Sequence, residues 1–250
     1  METTYRTAQV AELIGVHPNT VRLYEELELI PKPIRLPNGY RVFTEFHVEQ
    51  FRLARTAFQV EVLQNGLRKK MISIIKLSAK SEFQNAIELT KSYIRQVRTE
   101  QRNAEEAIRM AEQLLANTPM DDSGRTMTRQ EVSNELSITM DTLRNWEMNG
   151  LLDVKRKQNG YRIYTQSDIK KLKIIRSLRC ANYSLSAILR MMHALNDNKI
   201  IDIRNTINTP ETDETIVSVC DKLLTSLSAA EENATYMLKQ LKLMKRIYQN

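Results

Sequence analysis

The segment NGYRVFT at residues 38–44 returns as NGYRIYT at residues 159–165, displaced by 121 residues in a chain of 250. A near-copy at so great a separation marks a duplicated structural unit rather than one continuous core. Upstream, NTVRLYEELELI at residues 19–30 matches DTLRNWEMNGLL at residues 141–152, now displaced by 122. The second copy is therefore one residue shorter between the two blocks, a slip of the kind that loops tolerate. Domains commonly run about 100–150 residues, so a chain of this length accommodates two small units.

Each copy carries the same local signals. In the first, Val10, Leu13 and Ile14 share a helical face and Gly15 breaks the pattern. Pro18 then opens a second helix with Val21, Tyr24 and Leu27 on its inner face. In the second copy, Val132 and Leu136 are followed by Thr139 as N-cap and by Leu143 and Trp146. The order is helix, turn, helix. Asn-Gly followed by Tyr-Arg-Val-Phe or Tyr-Arg-Ile-Tyr then predicts a hairpin, which makes a wing. Thr165 and Asp168 form a capping box for a helix with Ile169, Leu172 and Ile175 inward, and Thr44 caps its counterpart with Phe51 and Ala54 inward. Another short helix is expected around 67–75 and around 185–192.

These patterns resemble the MerR family of bacterial transcription regulators. VAELIGVHPNTVRLYE and NGYRVFT carry the resemblance in the first half, and EVSNELSI, TLRNWE and NGYRIYT carry it in the second, covering about residues 5–75 and 127–195. Two departures stand out. Ser137 replaces the glycine found at Gly15, where a left-handed turn favours glycine, and His17 replaces a better N-cap residue.

The reading helix of a helix-turn-helix presents its early residues to bases and its flanks to phosphates. That rule selects His17, Asn19, Thr20 and Arg22 in the first head, and Thr139, Asp141, Thr142, Arg144 and Asn145 in the second. Arg22 and Arg144 suit phosphate better than base edges. The resemblance adds Tyr24 and Tyr40 near the backbone, with Tyr161 matching Tyr40, and Arg41 and Arg162 serving in the wings. For Tyr24 and Trp146, core packing is an equally good reading. Lys155, Arg156 and Lys157 lie in the second wing and are read as phosphate contacts. Residues 126–195 hold twelve Lys plus Arg against six Asp plus Glu, whereas residues 1–75 hold ten and eight, so the second head should grip harder.

After each head comes a long amphipathic stretch. Phe83, Ile87, Thr90, Ile94, Val97, Gln101, Ala104, Ile108, Ala111 and Leu115 alternate spacings of four and three, and so do Ile216, Cys220, Leu223, Leu227, Ala230, Ala234, Met237, Leu241, Met244 and Tyr248. Such a seam needs a partner helix. Antiparallel pairing within the chain sets Phe83 against Tyr248 and Val97 against Ala234, with small residues tending to face larger ones. The expected fold class is mostly α: two winged helix-turn-helix heads joined by a long antiparallel two-helix coiled coil, a single-chain pseudo-dimer. The expected divisions are a first head at 1–80, a long helix at 81–116 and a linker at 117–126. A second head at 127–195, an insertion at 196–212 read as a short helix or loop, and a long helix at 213–250 complete them. Pairing between chains, giving a homodimer with four heads, is the physical alternative.

The remaining signals narrow the function. With 37 Lys plus Arg against 30 Asp plus Glu and a pI near 9.4, the chain suits a polyanionic partner. Six Gly and six Pro among abundant helix formers agree with a helical chain. Cys180 and Cys220 stand far apart, which argues against a disulfide framework or a closed zinc site, and both read as buried small hydrophobes. His47 and His193 are isolated and read as surface or packing residues. No metal or cofactor is expected, and no arrangement of residues supports an enzyme. No apolar run is long enough to span a bilayer, the opening METTYRTAQV lacks the regions of a signal peptide, and the cysteine usage suits a reducing cytoplasm. The expected activity is sequence-specific binding of double-stranded DNA as a transcription regulator, with two unlike heads on one promoter or operator. The resemblance implies RNA polymerase at the promoter as a further partner. The alternative is an architectural or segregation protein that organises a chromosome or plasmid.

Overall fold

A computed structural model describes residues 3–60, 62, 66–116, 126–156, 160–196, 202–209 and 222–248. Its elements begin with β1 (Thr4–Tyr5), α1 (Thr7–Ile14), α2 (Pro18–Glu26), β2 (Ile34–Arg35), β3 (Arg41–Thr44), α3 (Glu45–Ala57), α4 (Leu67–Ala79) and α5 (Phe83–Ala116). They continue with α6 (Arg129–Leu136), α7 (Met140–Met148), α8 (Gln166–Cys180), α9 (Leu185–Asn196), α10 (Ile203–Asn208) and α11 (Leu223–Tyr248). The chain is mostly helical, and it divides into two compact units, residues 1–99 with 226–250 and residues 100–225.

In the first unit, β1, β3 and β2 form a small antiparallel sheet in that order, with Tyr5 opposite Phe43 and Arg35 opposite Arg41. The β2–β3 hairpin is the expected wing, whereas β1 was not among the elements read from the sequence. Val10, Val21, Ile30, Phe43, Val48 and Phe51 make one core beneath the helix pair. The inward stripe is narrower than the spacing suggested: Leu13 and Leu27 are 48% and 49% exposed. Both sit at the edge of a two-helix face that a head this small covers with only a few side chains. Gln50 crosses this core, donating to the carbonyls of Leu29 and Ile75 at 2.9 and 3.0 Å while its own carbonyl accepts from Ser78 Oγ at 2.7 Å. One buried side chain thus ties the exit of α2 to α3 and α4.

The first unit also contains the start of α5 and most of α11. Phe83, Thr90, Val97, Ala234, Met237 and Leu241 are fully buried, in agreement with the seams. Lys245 Nζ donates to Gln84 at 2.7 Å, and Arg98 pairs with Glu231 at 2.7 Å. The ring of Phe46 lies against both Phe83 and Tyr248, at centroid distances of 5.9 and 4.9 Å.

In the second unit, α6 to α9 repeat the plan of α1 to α4 over a core that includes Val132, Leu136, Leu143, Trp146, Ile169, Leu172 and Ile175. The capping box holds: Thr165 Oγ1 accepts from the Asp168 amide at 3.2 Å, and the Asp168 carboxylate accepts from the Thr165 amide at 2.8 Å. In place of strands, the second unit shows single bridges among the described residues: Arg156 to Arg162 in the wing, and Met127, ahead of α6, to Tyr164. The insertion contributes α10, whose Ile203 and Ile207 are buried and whose Asn208 accepts from the Leu224 amide at 3.2 Å. No helix among the described residues is long and apolar enough to cross a membrane.

Ser137 does not disturb the second turn. It takes the left-handed conformation at φ 50°, ψ 48°, beside φ 72°, ψ 44° at Gly15, so the helix-to-helix geometry is kept at the steric cost of a side chain there.

Candidate nucleic-acid interface

The two reading helices start differently. His17 accepts from the Asn19 amide through Nδ1 at 3.2 Å, and Pro18 supplies the first turn of α2, where a missing amide costs nothing. Asn19 and Arg22 are exposed and joined, the guanidinium donating to Asn19 Oδ1 at 3.1 Å, while Thr20 is half-buried. At α7, Thr139 Oγ1 accepts from the Thr142 amide at 3.0 Å, and the two hydroxyls meet at 2.8 Å. Asp141, Arg144 and Asn145 are exposed along the same helix, with the Asn149 amide group donating to the Asn145 carbonyl at 2.7 Å. Both sets of candidates thus lie together on the N-cap and the first two turns of their helix.

A groove of about 620 Å³ runs beside α7 and is lined by Thr139, Asp141, Asn145, Arg176 and Arg179. Sequence reasoning missed the two arginines because α8 was read only for its inward residues. Cys180 lines the same groove and is exposed, which corrects its reading as a buried small hydrophobe: it stands at the last position of α8, past the final inward residue Leu178. Cys220 and Lys157 lie outside the described residues. Trp146 is buried in the core, whereas Tyr24 is half-buried and stacks on Phe51 at 4.3 Å with an interplanar angle of 7°. His47 is buried and accepts from the Thr44 amide at 3.0 Å, so it completes the cap of α3. Among the described residues no group of three or more His, Cys, Asp or Glu could hold a metal ion.

The wing arginines are engaged from within. Arg41 Nε donates to Glu25, which also receives Arg35 at 3.3 Å. Arg162 Nε donates to Glu147 at 2.6 Å, and Glu147 also receives Arg129 at 2.7 Å and the hydroxyl of Tyr164. The two glutamate side chains are only 10% and 8% exposed. Burial, with Glu147 close by, pushes the Tyr164 phenol above its ordinary pKa. Outside these clusters Tyr40 and Tyr161 stand exposed on their wings, and so do Lys155 and Arg156. Glu25 and Glu147 were missed as well. The available signal was an acid at the same place in both repeat copies, each with a wing arginine downstream.

The profile described as MerR family regulatory protein matches residues 6–43, and that described as MerR HTH family regulatory protein matches residues 127–195. The HTH-type transcriptional regulator CueR of Yersinia pestis is 42% identical over 53 residues, 21% of this chain and 38% of that protein. The HTH-type transcriptional regulator ZntR of Escherichia coli (strain K12) is 33% identical over 65 residues, 26% of this chain and 46% of that protein. The mercuric resistance operon regulatory protein of Bacillus cereus is 31% identical over 65 residues, 26% of this chain and 49% of that protein. The chain thus spans less than half the length of these curated relatives. No solved structure matches it. The two profile matches fall on the two helix-turn-helix units built above, and the chain carries two MerR-type domains in one polypeptide.

Proposed function

We propose that the chain is a sequence-specific regulator of transcription that binds one double-stranded DNA site through two unlike heads. The observation that carries this reading is the pair of reading helices with different exposed faces: His17, Asn19 and Arg22 in one head, and Asp141, Arg144 and Asn145 in the other. In each head the early residues of α2 or α7, with Thr20, Thr139 and Thr142 at their edges, enter the major groove. Tyr24, Tyr40 and Tyr161 approach the backbone, Lys155, Arg156 and Lys157 meet phosphates in the second wing, and Arg41 and Arg162 serve in the wings. Arg176 and Arg179 add positive charge beside α7. RNA polymerase at the promoter is the further partner, in keeping with relatives named as transcriptional regulators.

In this reading the long helices pair within the chain as an antiparallel coiled coil, so one polypeptide does the work of a dimer. The Lys245–Gln84 and Arg98–Glu231 contacts support that pairing, because the partners advance along α5 as they retreat along α11. The test is binding of the full chain to promoter fragments across a range of salt, followed by footprinting. Salt-sensitive binding with protection inside the promoter is expected. Binding that does not weaken with salt, or that ignores sequence, would refute the reading.

A further inference from the structure

In each head, one nearly buried carboxylate of the reading helix holds the arginine of the wing. Glu25 takes Arg41 together with Arg35, whereas Glu147 takes Arg162 together with Arg129 and Tyr164. The supporting partners differ, yet the pairing of helix acid to wing arginine is the same. Guanidinium forks carboxylate and phosphate with the same geometry, so each glutamate competes with the DNA backbone for its arginine. The protein side of that competition is strong. With side chains 10% and 8% exposed, the carboxylates cannot recruit water freely, and withdrawing the arginine would leave a buried charge short of a partner.

We propose that Glu25 and Glu147 are specificity-determining positioning residues. Each keeps its wing arginine on the protein, so the wing docks as a fixed part of the head and the arginine adds nothing to sequence-independent backbone affinity. The inference rests on the DNA-binding reading and deepens it. Phosphate contact in the second wing then falls to Lys155 and Arg156, which have no carboxylate partner among the described residues. Arg41 and Arg162 become positioning residues, and the two heads gain affinity chiefly where the reading helix fits its bases.

The experiment measures binding of the full chain across a salt series to two probes: a duplex carrying the best site recovered by selection, and a random-sequence duplex of equal length. The variants are Glu25→Gln, Glu147→Gln and Arg162→Gln, each checked for wild-type helicity. In either glutamate variant the amide keeps the shape and removes the charge, which frees an arginine for phosphate. The slope of log K against log salt should steepen by about 0.9 per freed arginine, random-sequence affinity should rise, and the specificity ratio should fall. A slope and ratio equal to wild type would overturn the inference. Arg162→Gln decides the matter even where a glutamate variant fails to fold. Its slope should match wild type while selected-site affinity drops, and a slope flatter by about 0.9 would assign Arg162 to phosphate and overturn the inference. A wild-type chain without salt-sensitive binding would remove the DNA-binding reading itself, an outcome distinct from wild-type binding with unaltered variants.

Discussion

Replacing Gln50 by Met keeps the length and much of the volume of the side chain while deleting its polar atoms. Gln50 is fully buried and makes three hydrogen bonds, to the carbonyls of Leu29 and Ile75 and from the hydroxyl of Ser78. Each neutral bond contributes about 1 kcal/mol net, and a buried group left without its partner costs about 1–3 kcal/mol. The Leu29 carbonyl lies in the turn after α2 and has no helical ladder to fall back on, so the expected loss is about 3 kcal/mol, within a range of about 2–5. At a urea dependence of about 1–3 kcal/mol per molar, a loss of about 3 kcal/mol lowers the unfolding midpoint of the affected transition by about 1–3 M. Far-UV circular dichroism in urea measures this shift, and native-state hydrogen exchange on α3 and α4 locates it. A loss under about 0.5 kcal/mol would mean that the three bonds are replaced without cost and that Gln50 does not anchor the exit of α2.

Ser137→Gly should stabilise the second head by about 0.5–1 kcal/mol, because Ser137 holds a left-handed backbone at φ 50°; thermal melting checks it, and destabilisation would refute the strain argument. Thr165→Ala should cost about 1 kcal/mol through loss of the cap on α8, whereas an unchanged midpoint would show that solvent serves that helix end equally well. Burial pushes the phenols of Tyr93 and Tyr183 up to about 12, above an unfolded value of about 10. Their contribution is therefore complete below pH ~10 and is lost as pH rises toward 12, which urea melts at stepped alkaline pH should show and the Tyr183→Phe variant should blunt. Burial lowers the pKa of His47, so its contribution is present above about pH 6.5 and declines as pH falls below it; a melt that is flat between neutral and mildly acidic pH would oppose this.

Much of the architecture was legible because it follows from short-range rules. The Thr165–Asp168 capping box and the spacing of Phe83, Thr90 and Val97 along α5 each depend on residues a few positions apart, and these side chains are bonded or buried as expected. The same rules ran out where a neighbour in space decides. β1 is two residues long and exists only because Tyr5 lies opposite Phe43 on β3. Leu13 and Leu27 fit a helical period but fall where the partner surface has ended. Glu25 and Glu147 read as ordinary helix charges until the wing folds back and brings Arg41 and Arg162 to them. Ser137 shows the converse: the turn imposes its geometry on a residue that would not choose it.

In the proposed function one polypeptide reads one DNA site through two unlike heads. Selection of preferred duplexes by the full chain, followed by determination of the mass of the complex on the best sequence, tests it most directly. The expected result is two dissimilar half-sites in fixed orientation, occupied by a single chain of 29.1 kDa per duplex. A perfect palindrome as the best site, bound by two chains that also form a stable homodimer when free, would contradict it and assign the long helices to pairing between chains.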